Sequence, residues 1–380
     1  MKKSTATIDV GANAGRSIAI IGGGIGGLTA ALAFARQGAK VTVHEQARAI
    51  AEVGAGLQIT PNGARALAAL GLADALDQIG LRAAAVQPVD ALIGRAIARF
   101  DLTHQTPPYR FVHRADLIGL LARACAAAGV RIALNARIAD VTAGGLSGAD
   151  LTIGADGLHS VIRPVLNNAA APFFTGQVAW RAIIPATDLP PVAQIWMAPG
   201  RHVVTYPLPD NRLNIVAVQE RDTWAAEGWH HDDDPTNLRA AFADCAAPLQ
   251  DLLAQVDTCH LWGLFRHKVA DHWHNDRIAL LGDAAHPTLP FLAQGANLAI
   301  EDAFALARIT DAQPDLASAL KAYQSARHPR VSRAIAAANA NARNYHLSGM
   351  QRRVAYIGLK TLSKIAPDAF INRLGWLYDH

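Results

Sequence analysis

Cysteine is scarce in this chain of 380 residues: Cys125, Cys245 and Cys259 are the whole complement, with no C-x-x-C pair and no metal-ligand spacing. That excludes a disulfide-stapled scaffold, a dithiol redox centre and a cysteine zinc site; no metal is expected, and a reducing, cytoplasmic setting fits. Charge is thin as well, at 17% of residues with a formal net charge of +4, and no run of Lys or Arg gathers it into a stripe. Without such a stripe a phosphate backbone has nothing to track, so nucleic acid is excluded as a partner. Hydrophobic residues make up 51%, too many for a disordered chain, and much of the excess is alanine, which favours helix. One uncharged stretch, residues 17–35, has the length of a membrane span, but Gly22, Gly23, Gly24, Gly26 and Gly27 crowd its middle. Glycine inside a helix costs about 1 kcal/mol relative to alanine, so neither a membrane helix nor a secretory signal is expected there. The length implies two domains.

What the chain has instead is glycine set in motifs. Ser17–Ile21 reads as a short buried strand and residues 28–36 as a helix, with Gly22, Gly24 and Gly27 forming G-x-G-x-x-G between them. Gly22 permits the tight turn, Gly24 lets the backbone approach a pyrophosphate, and Gly27 lets helix and strand pack closely. Ile25 and Gly26 complete the turn, whose helix start offers N–H groups and partial positive charge. A second strand, Lys40–His44, ends at Glu45, where an acid can bind ribose hydroxyls and disfavours a 2′-phosphate. The pattern by itself does not separate NAD from FAD. Residues 1–16 read as a loose tail.

Two later segments resolve that choice. Residues 151–163 (LTIGADGLHSVIR) carry Asp156 and Gly157 after a β run, and residues 277–303 carry Gly282 and Asp283 after another before leading into a helix near Gly295. Together with the first motif they resemble the three fingerprints of the single-component FAD-dependent aromatic hydroxylases. The closest likeness is to the salicylate hydroxylase, 3-hydroxybenzoate 6-hydroxylase and 6-hydroxynicotinate 3-monooxygenase branch. It is carried by His44-Glu45-Gln46-Ala47, by Val53, Gly54, Ala55 and Gly56, by His113-Arg114 with Asp116, and by Pro290 with Gln294, Gly295, Ala296 and Asn297.

The resemblance implies an α/β fold: a Rossmann-like FAD-binding domain of the p-hydroxybenzoate hydroxylase type, a β-rich substrate domain and C-terminal helices. It places Glu45, with Gln46 beside it, at the adenosine ribose, Arg114 at the FAD phosphate and ribitol, and Asp156 where the cofactor meets the nicotinamide nucleotide. Asp283 falls at the ribityl or pyrophosphate end, and Val53, Gly54, Ala55 and Gly56 resemble the loop lining the flavin's path. The chemistry of the third segment is legible without the likeness. A helix over 296–309 leaves its first N–H groups unpaired and its dipole positive at that end, so Gly295, Ala296 and Asn297 can stabilise negative charge on a reduced flavin. His286 is assigned a structural role in a packed corner.

Residues 172–270 alternate apolar and polar side chains and read as β-rich. His202 and Tyr206, four apart on one strand, point to the same face, with 213–219 as the hairpin partner. In the resembled branch this His and Tyr approach the substrate's ring hydroxyl, and an imidazole can accept a phenol proton. A substrate carboxylate needs a cation, for which Arg181, Arg201 and Arg212 are candidates.

The expected activity is that of an FAD-dependent monooxygenase. NADH or NADPH is the electron donor, O2 the co-substrate, and a small phenolic or hydroxypyridine ring, carboxylated, is hydroxylated through a flavin C4a-hydroperoxide. His202, Tyr206 and Pro290 form the catalytic set. Hydroxylation or epoxidation of a larger polycyclic or isoprenoid-like substrate, and a flavin dehydrogenase or oxidase without oxygen insertion, are the alternatives. The expected division is 17–73, 102–171 and 270–345 for FAD, 74–101 and 172–269 for substrate, and 346–380 as a helical end, with helical patterns over 314–342 and 352–377. A monomer or homodimer is expected.

Overall fold

The computed structural model describes residues 11–50, 55–140, 146, 148–168, 170–222, 231–367 and 369–378. Short runs of β-branched residues build a five-stranded parallel sheet in the order Ile278–Leu280, Leu151–Gly154, Ser17–Ile21, Lys40–His44, Arg131–Ala133. Ile18, Ile20, Val43, Leu151 and Ile153 are buried there, as a parallel sheet covered on both faces requires. The helix Ile25–Arg36 packs between Arg114–Ala127 and Gly295–Asp311. Three strands of this sheet run at their carboxyl ends into the three glycine motifs, which gathers those motifs along one edge, the place where open α/β sheets bind ligands.

A second, mixed sheet of nine strands is built mainly from residues 173–266 and also takes in Ala85–Asp90, Arg95–Ala96 and Phe100–Asp101. One of its faces carries Trp180, Trp196, Val203 and Ala217 against Leu238, Phe242, Leu249 and Leu253 of two short helices. The hairpin Arg201–Leu208 with Arg212–Glu220 forms as expected, one residue longer at each end than 213–219. A small third sheet joins Gly56–Ile59, Arg110–His113 and Gly80–Arg82.

Four expectations change. The first helix starts at Ile25 rather than residue 28, because the glycines belong to it: a Cβ on Gly27 would lie 2.0 Å from the Gly22 carbonyl oxygen, and one on Gly26 would lie 2.8 Å from Leu281. Residues 11–16 are not loose. Asn13 is fully buried and donates to the Ala307 carbonyl (3.0 Å) and to Thr310 (3.0 Å), while Ala12 N–H donates to the Asp311 carbonyl (3.0 Å). They satisfy backbone acceptors that the end of helix Gly295–Asp311 leaves open; residues 1–10 lie outside the described residues. Within 74–101, Gly80–Arg82 pairs with Arg110–His113 rather than with the nine-stranded sheet, and Leu76 sits in the main core. Finally, the helical pattern over 352–377 is divided: Gly349–Ile365 stops ahead of Pro367 and two four-residue helices follow, since the residue before a proline is driven out of helical backbone. Leu316–Tyr345, by contrast, runs through Pro329.

Candidate cofactor and substrate site

The three glycine motifs touch. Gly22 has φ +105°, and a Cβ there would lie 2.3 Å from the Ala155 carbonyl oxygen, so the first and second motifs close on each other at a position only glycine fills. Around Gly24 nothing lies within 4 Å of where a side chain would begin, which leaves its backbone open to a ligand. Glu45 folds back toward this loop, accepting from Gly23 N–H (2.6 Å) and Ala47 N–H (2.7 Å). Gln46, next to it, is exposed. Asp156 accepts from Val161 N–H (2.8 Å) and Ile162 N–H (3.3 Å) and its other oxygen is buried with no partner; burial raises its pKa, against the pull of those hydrogen bonds. Gly157 follows with φ +76°.

Gly282, at φ +57°, lies against Ala299, and its N–H donates to Asp302 (3.1 Å). The Asp283 carboxyl is reached by solvent, with protein packed around it. Burial raises its pKa, while His286 and Arg114 pull it down. Arg114, at the start of helix Arg114–Ala127, faces Asp283 electrostatically, and its N–H holds the Ala55 carbonyl (2.9 Å). Ala55 and Gly56 are buried; Val53 and Gly54 lie outside the described residues. His286 is buried, its Nε2–H donating to the Asp302 carboxylate at 2.5 Å and its ring stacked on Trp273.

The third segment forms a turn, Pro290–Leu292, then Ala293 in left-handed backbone, then the helix Gly295–Asp311. No side chain caps that helix at Gln294, so its leading N–H groups at Gly295, Ala296 and Asn297 remain directed outward. The side chains of Gln294 and Asn297 do something the sequence did not show. Gln294 is fully buried, accepts from Asn62 (3.0 Å) and donates to Thr60 (3.1 Å); Asn297 accepts from Thr60 N–H (3.0 Å) and donates to the Gln58 carbonyl (2.9 Å). They fasten the helix start to strand Gly56–Ile59, while Pro290 is exposed. An open Gly24 backbone, an uncapped helix end and Arg114 near enough to Asp283 to be felt electrostatically are what a dinucleotide with a pyrophosphate and an electron-accepting ring requires, so the residues present fit FAD.

Across the nine-stranded sheet, antiparallel register aligns Tyr206 with Asn214, Val204 with Val216 and Arg181, and His202 with Val218 and Ala179. Directly opposed residues share a face, so His202, Tyr206 and Arg181 all project from the side opposite the Trp180 core. Tyr206 packs on Phe111 (5.1 Å between rings) and bonds to Gln58; burial raises its pKa, against Arg181 and Gln58. Gly56 is essential to this approach, since a Cβ there would come within 2.7 Å of both the Tyr206 ring and Asn214. His202 is buried between Phe291 and Tyr345, and its Nδ1 is 2.7 Å from His346 Nε2. Burial, with His346 adding to it, holds the His202 imidazole well below its usual pKa.

Of the three candidate arginines, Arg201 is ion-paired with Asp244, and Arg212 with Asp210 (3.0 Å) and Asp116 (3.6 Å). Arg181 lies over the Trp262 ring (4.1 Å), its Nε has no partner, and among the described residues no carboxylate pairs with it. Burial, with Arg114 nearby, lowers its pKa to about 10.

A five-stranded parallel sheet whose strands end in three glycine motifs, a nine-stranded sheet in contact with strand Arg110–His113, and an uncapped helix end define a flavoprotein of the aromatic-hydroxylase fold. Residues 16–338 match the family model described as FAD binding domain. The chain is 36% identical over 379 residues to a 3-amino-4-hydroxybenzoate 2-monooxygenase, PtmB3, of Streptomyces platensis, covering 93% of this chain and 95% of that one. It is 31% identical to a 3-hydroxybenzoate 6-hydroxylase of Klebsiella oxytoca, covering 94% and 95%. An HpxO variant of Klebsiella pneumoniae complexed with FAD superposes with a TM-score of 0.82 at 26% identity, over 96% and 99% of the two chains. A salicylate hydroxylase substrate complex gives 0.81 at 23% identity, over 97% and 96%, a likeness of fold. The chain belongs to the FAD-binding-domain family of monooxygenases and is an FAD-dependent, NAD(P)H-using oxidoreductase.

Proposed function

We propose that this protein hydroxylates a small carboxylated phenol of the hydroxybenzoate or aminohydroxybenzoate type, held between the His202, Tyr206 and Arg181 face and the Pro290 turn. The observation that carries the reading is Arg181, a guanidinium on that face with which no carboxylate pairs among the described residues. A substrate carboxylate supplies the missing charge and accepts its N–H groups, whereas a polycyclic or isoprenoid-like substrate leaves the cation unpaired. The names of the relatives, 3-amino-4-hydroxybenzoate and 3-hydroxybenzoate oxygenases, support the same choice.

FAD, when bound, would supply the acceptor for the two electrons of NADH or NADPH and the activation of O2. The chain's own residues do the rest. Gly22, Gly24, Ile25, Gly26 and Gly27 receive the pyrophosphate at the helix start, Glu45 receives the ribose, and Arg114, Asp156, Gly157, Gly282 and Asp283 line the flavin's approach. Backbone N–H groups of Gly295, Ala296 and Asn297 meet the flavin's electron-rich edge, and Gln294 positions that helix through Asn62 and Thr60. Arg181 takes the substrate carboxylate, Tyr206 flanks the ring, Pro290 closes the pocket, and His202 accepts the phenol proton. A discontinuous cofactor domain and a substrate domain assembled from its insertions, 74–101 and 172–269, belong to this proposal, and the pairing of Gly80–Arg82 with Arg110–His113 supports starting the first insertion after it. Among the described residues no helix is long and apolar enough to cross a membrane. The three free buried cysteines support a cytoplasmic setting; a monomer or homodimer is distinguished by light scattering.

The decisive experiment follows NADH and NADPH consumption by the FAD-loaded protein with 3-amino-4-hydroxybenzoate, 3-hydroxybenzoate and salicylate, with product mass and peroxide measured together. A product heavier by one oxygen atom is expected for at least one of them. Consumption that yields only peroxide for all three sinks the reading.

A further inference from the structure

Behind His202 lies a second histidine that nothing in the flavin chemistry calls for. His346, the residue that ends helix Leu316–Tyr345, is buried, places Nε2 2.7 Å from His202 Nδ1 and Nδ1 2.7 Å from Glu220 Oε1. The Glu220 side chain is 54% exposed, His346 3%. The three groups therefore form a continuous chain from the substrate face of the sheet to bulk water. Its members are held by backbone as well: Gly200 N–H donates to the His346 carbonyl (3.2 Å) and Glu220 N–H to the Gly200 carbonyl (2.9 Å). Tyr345 and Asn341, from the same helix, hold the Phe291 carbonyl (3.3 and 3.1 Å), so the chain is locked to the turn that closes the pocket.

The carboxylate fixes the protons. Glu220 can only accept, so His346 carries its hydrogen on Nδ1 and offers the Nε2 lone pair to His202. His202 must then carry its hydrogen on Nδ1, leaving Nε2 as the bare acceptor, and among the described residues no group bonds to that nitrogen. We infer that His202, His346 and Glu220 form a proton relay that carries the phenol proton of the proposed substrate out to solvent, with His346 and Glu220 as positioning residues acting through His202. The step balances without charging a buried ring. The substrate O–H bond breaks as His202 Nε2–H forms; His202 Nδ1–H breaks as His346 Nε2–H forms; His346 Nδ1–H breaks as the Glu220 carboxyl O–H forms, and Glu220 passes the proton to water. Reprotonation of the product oxygen runs the chain backward and restores both tautomers. Burial that disfavours imidazolium at both histidines suits such a hand-over, because no positive charge has to rest there. The other ionisable groups facing the chain do not compete. The Tyr345 hydroxyl is engaged by Phe291 and burial raises its pKa, and Arg201 is turned to Asp244.

The relay rests on the proposed phenolic substrate, and two readouts separate their fates. In the FAD-loaded protein with 3-amino-4-hydroxybenzoate, Glu220→Gln keeps an acceptor for His346 but cannot take a proton, and His346→Gln cuts the chain. Both are expected to lower hydroxylation by roughly ten- to a hundredfold at pH 7, the range of a lost proton-transfer catalyst, and to recover as pH rises toward the phenol's own pKa. Substrate-free reduction of the flavin by NADH stays at the wild-type rate. Added imidazole restores part of the rate to His346→Gly. Wild-type pH profiles in both Gln variants overturn the relay. Independently of any substrate, ¹⁵N spectra of histidine-labelled protein are expected to show His202 neutral with its proton on Nδ1, and His346 Nδ1–H shifted far downfield in wild type but not in Glu220→Gln. If His202 carries its proton on Nε2 the relay is wrong even where hydroxylation is seen. If the spectra agree while none of the hydroxybenzoates is hydroxylated, the proton-ordered chain from His202 to Glu220 stands and the substrate assignment falls, and with it the phenol as the proton's source.

Discussion

At the scale of single residues, the site is decided by which polar groups already have partners. Arg201 and Arg212 are equal candidates in sequence, yet both pair with carboxylates, whereas among the described residues none pairs with Arg181. Charge-assisted hydrogen bonds contribute about 1.5–3 kcal/mol. Arg181→Met is therefore expected to raise KM for a carboxylated phenol by roughly ten- to a hundredfold. The corresponding phenol without a carboxylate should react nearly as before, and steady-state kinetics on that pair of substrates is the check. Equal losses on both would show that Arg181 shapes the pocket without reading the carboxylate. Gln294 teaches the converse: a residue the family likeness assigns to the cofactor spends its amide on Asn62 and Thr60.

At the scale of elements, the helix Gly295–Asp311 is the part on which the flavin edge depends, and its placement rests on a buried ionic cluster. Asp302 accepts from Arg327 (2.7 Å), His286 and Gly282 N–H, while Glu301 pairs with Arg327 (2.8 Å) and Arg330 (2.6 Å). The cluster ties this helix to Leu316–Tyr345 and, through Arg330, to the Trp376 and Leu377 carbonyls. Burial alone would raise the Asp302 pKa, but His286 and Arg327 hold it down to about 2. Its folded pKa thus lies below the ordinary value of about 3.9. The stability it contributes is present above about pH 4 and lost as pH falls through about 2. Removing one partner of a buried pair costs about 3–5 kcal/mol, so Asp302→Asn should lower stability by that order and weaken FAD retention. Denaturant unfolding of the apoprotein measures the first, and an unchanged midpoint would make the cluster dispensable.

At the scale of the whole molecule, the proposed cofactor site draws on residues from distant parts of the chain. Gly22 lies against Ala155, Gly282 against Ala299, and Gly56 of the small third sheet against Tyr206 of the nine-stranded one. A ligand held by these segments together binds only the folded arrangement. FAD at a hundred times its Kd should stabilise by about 2.7 kcal/mol, an upward shift in Tm of several degrees for a chain of this size. Differential scanning fluorimetry of stripped and reloaded protein tests this. A Tm that does not respond to FAD would mean that the cofactor bridges nothing.

The sequence by itself determined the glycine motifs, the order of strand, turn and helix around them, and the hairpin bearing His202 and Tyr206. Those follow from local rules, namely hydrophobic period, turn chemistry and the steric demands of glycine, which nearby residues settle among themselves. It misjudged residues 11–16 because Asn13 finds its partners at Ala307 and Thr310, and it gave no sign of His346 because a histidine at a helix end means nothing until Glu220 and His202 stand on either side of it. Which arginine was left unpaired, which amides were spent on the scaffold and where a proton could travel were decided only by the tertiary structure. Hydrogen bonding and ion pairing act over about 3 Å in space, and separation along the chain does not reveal which groups come that close.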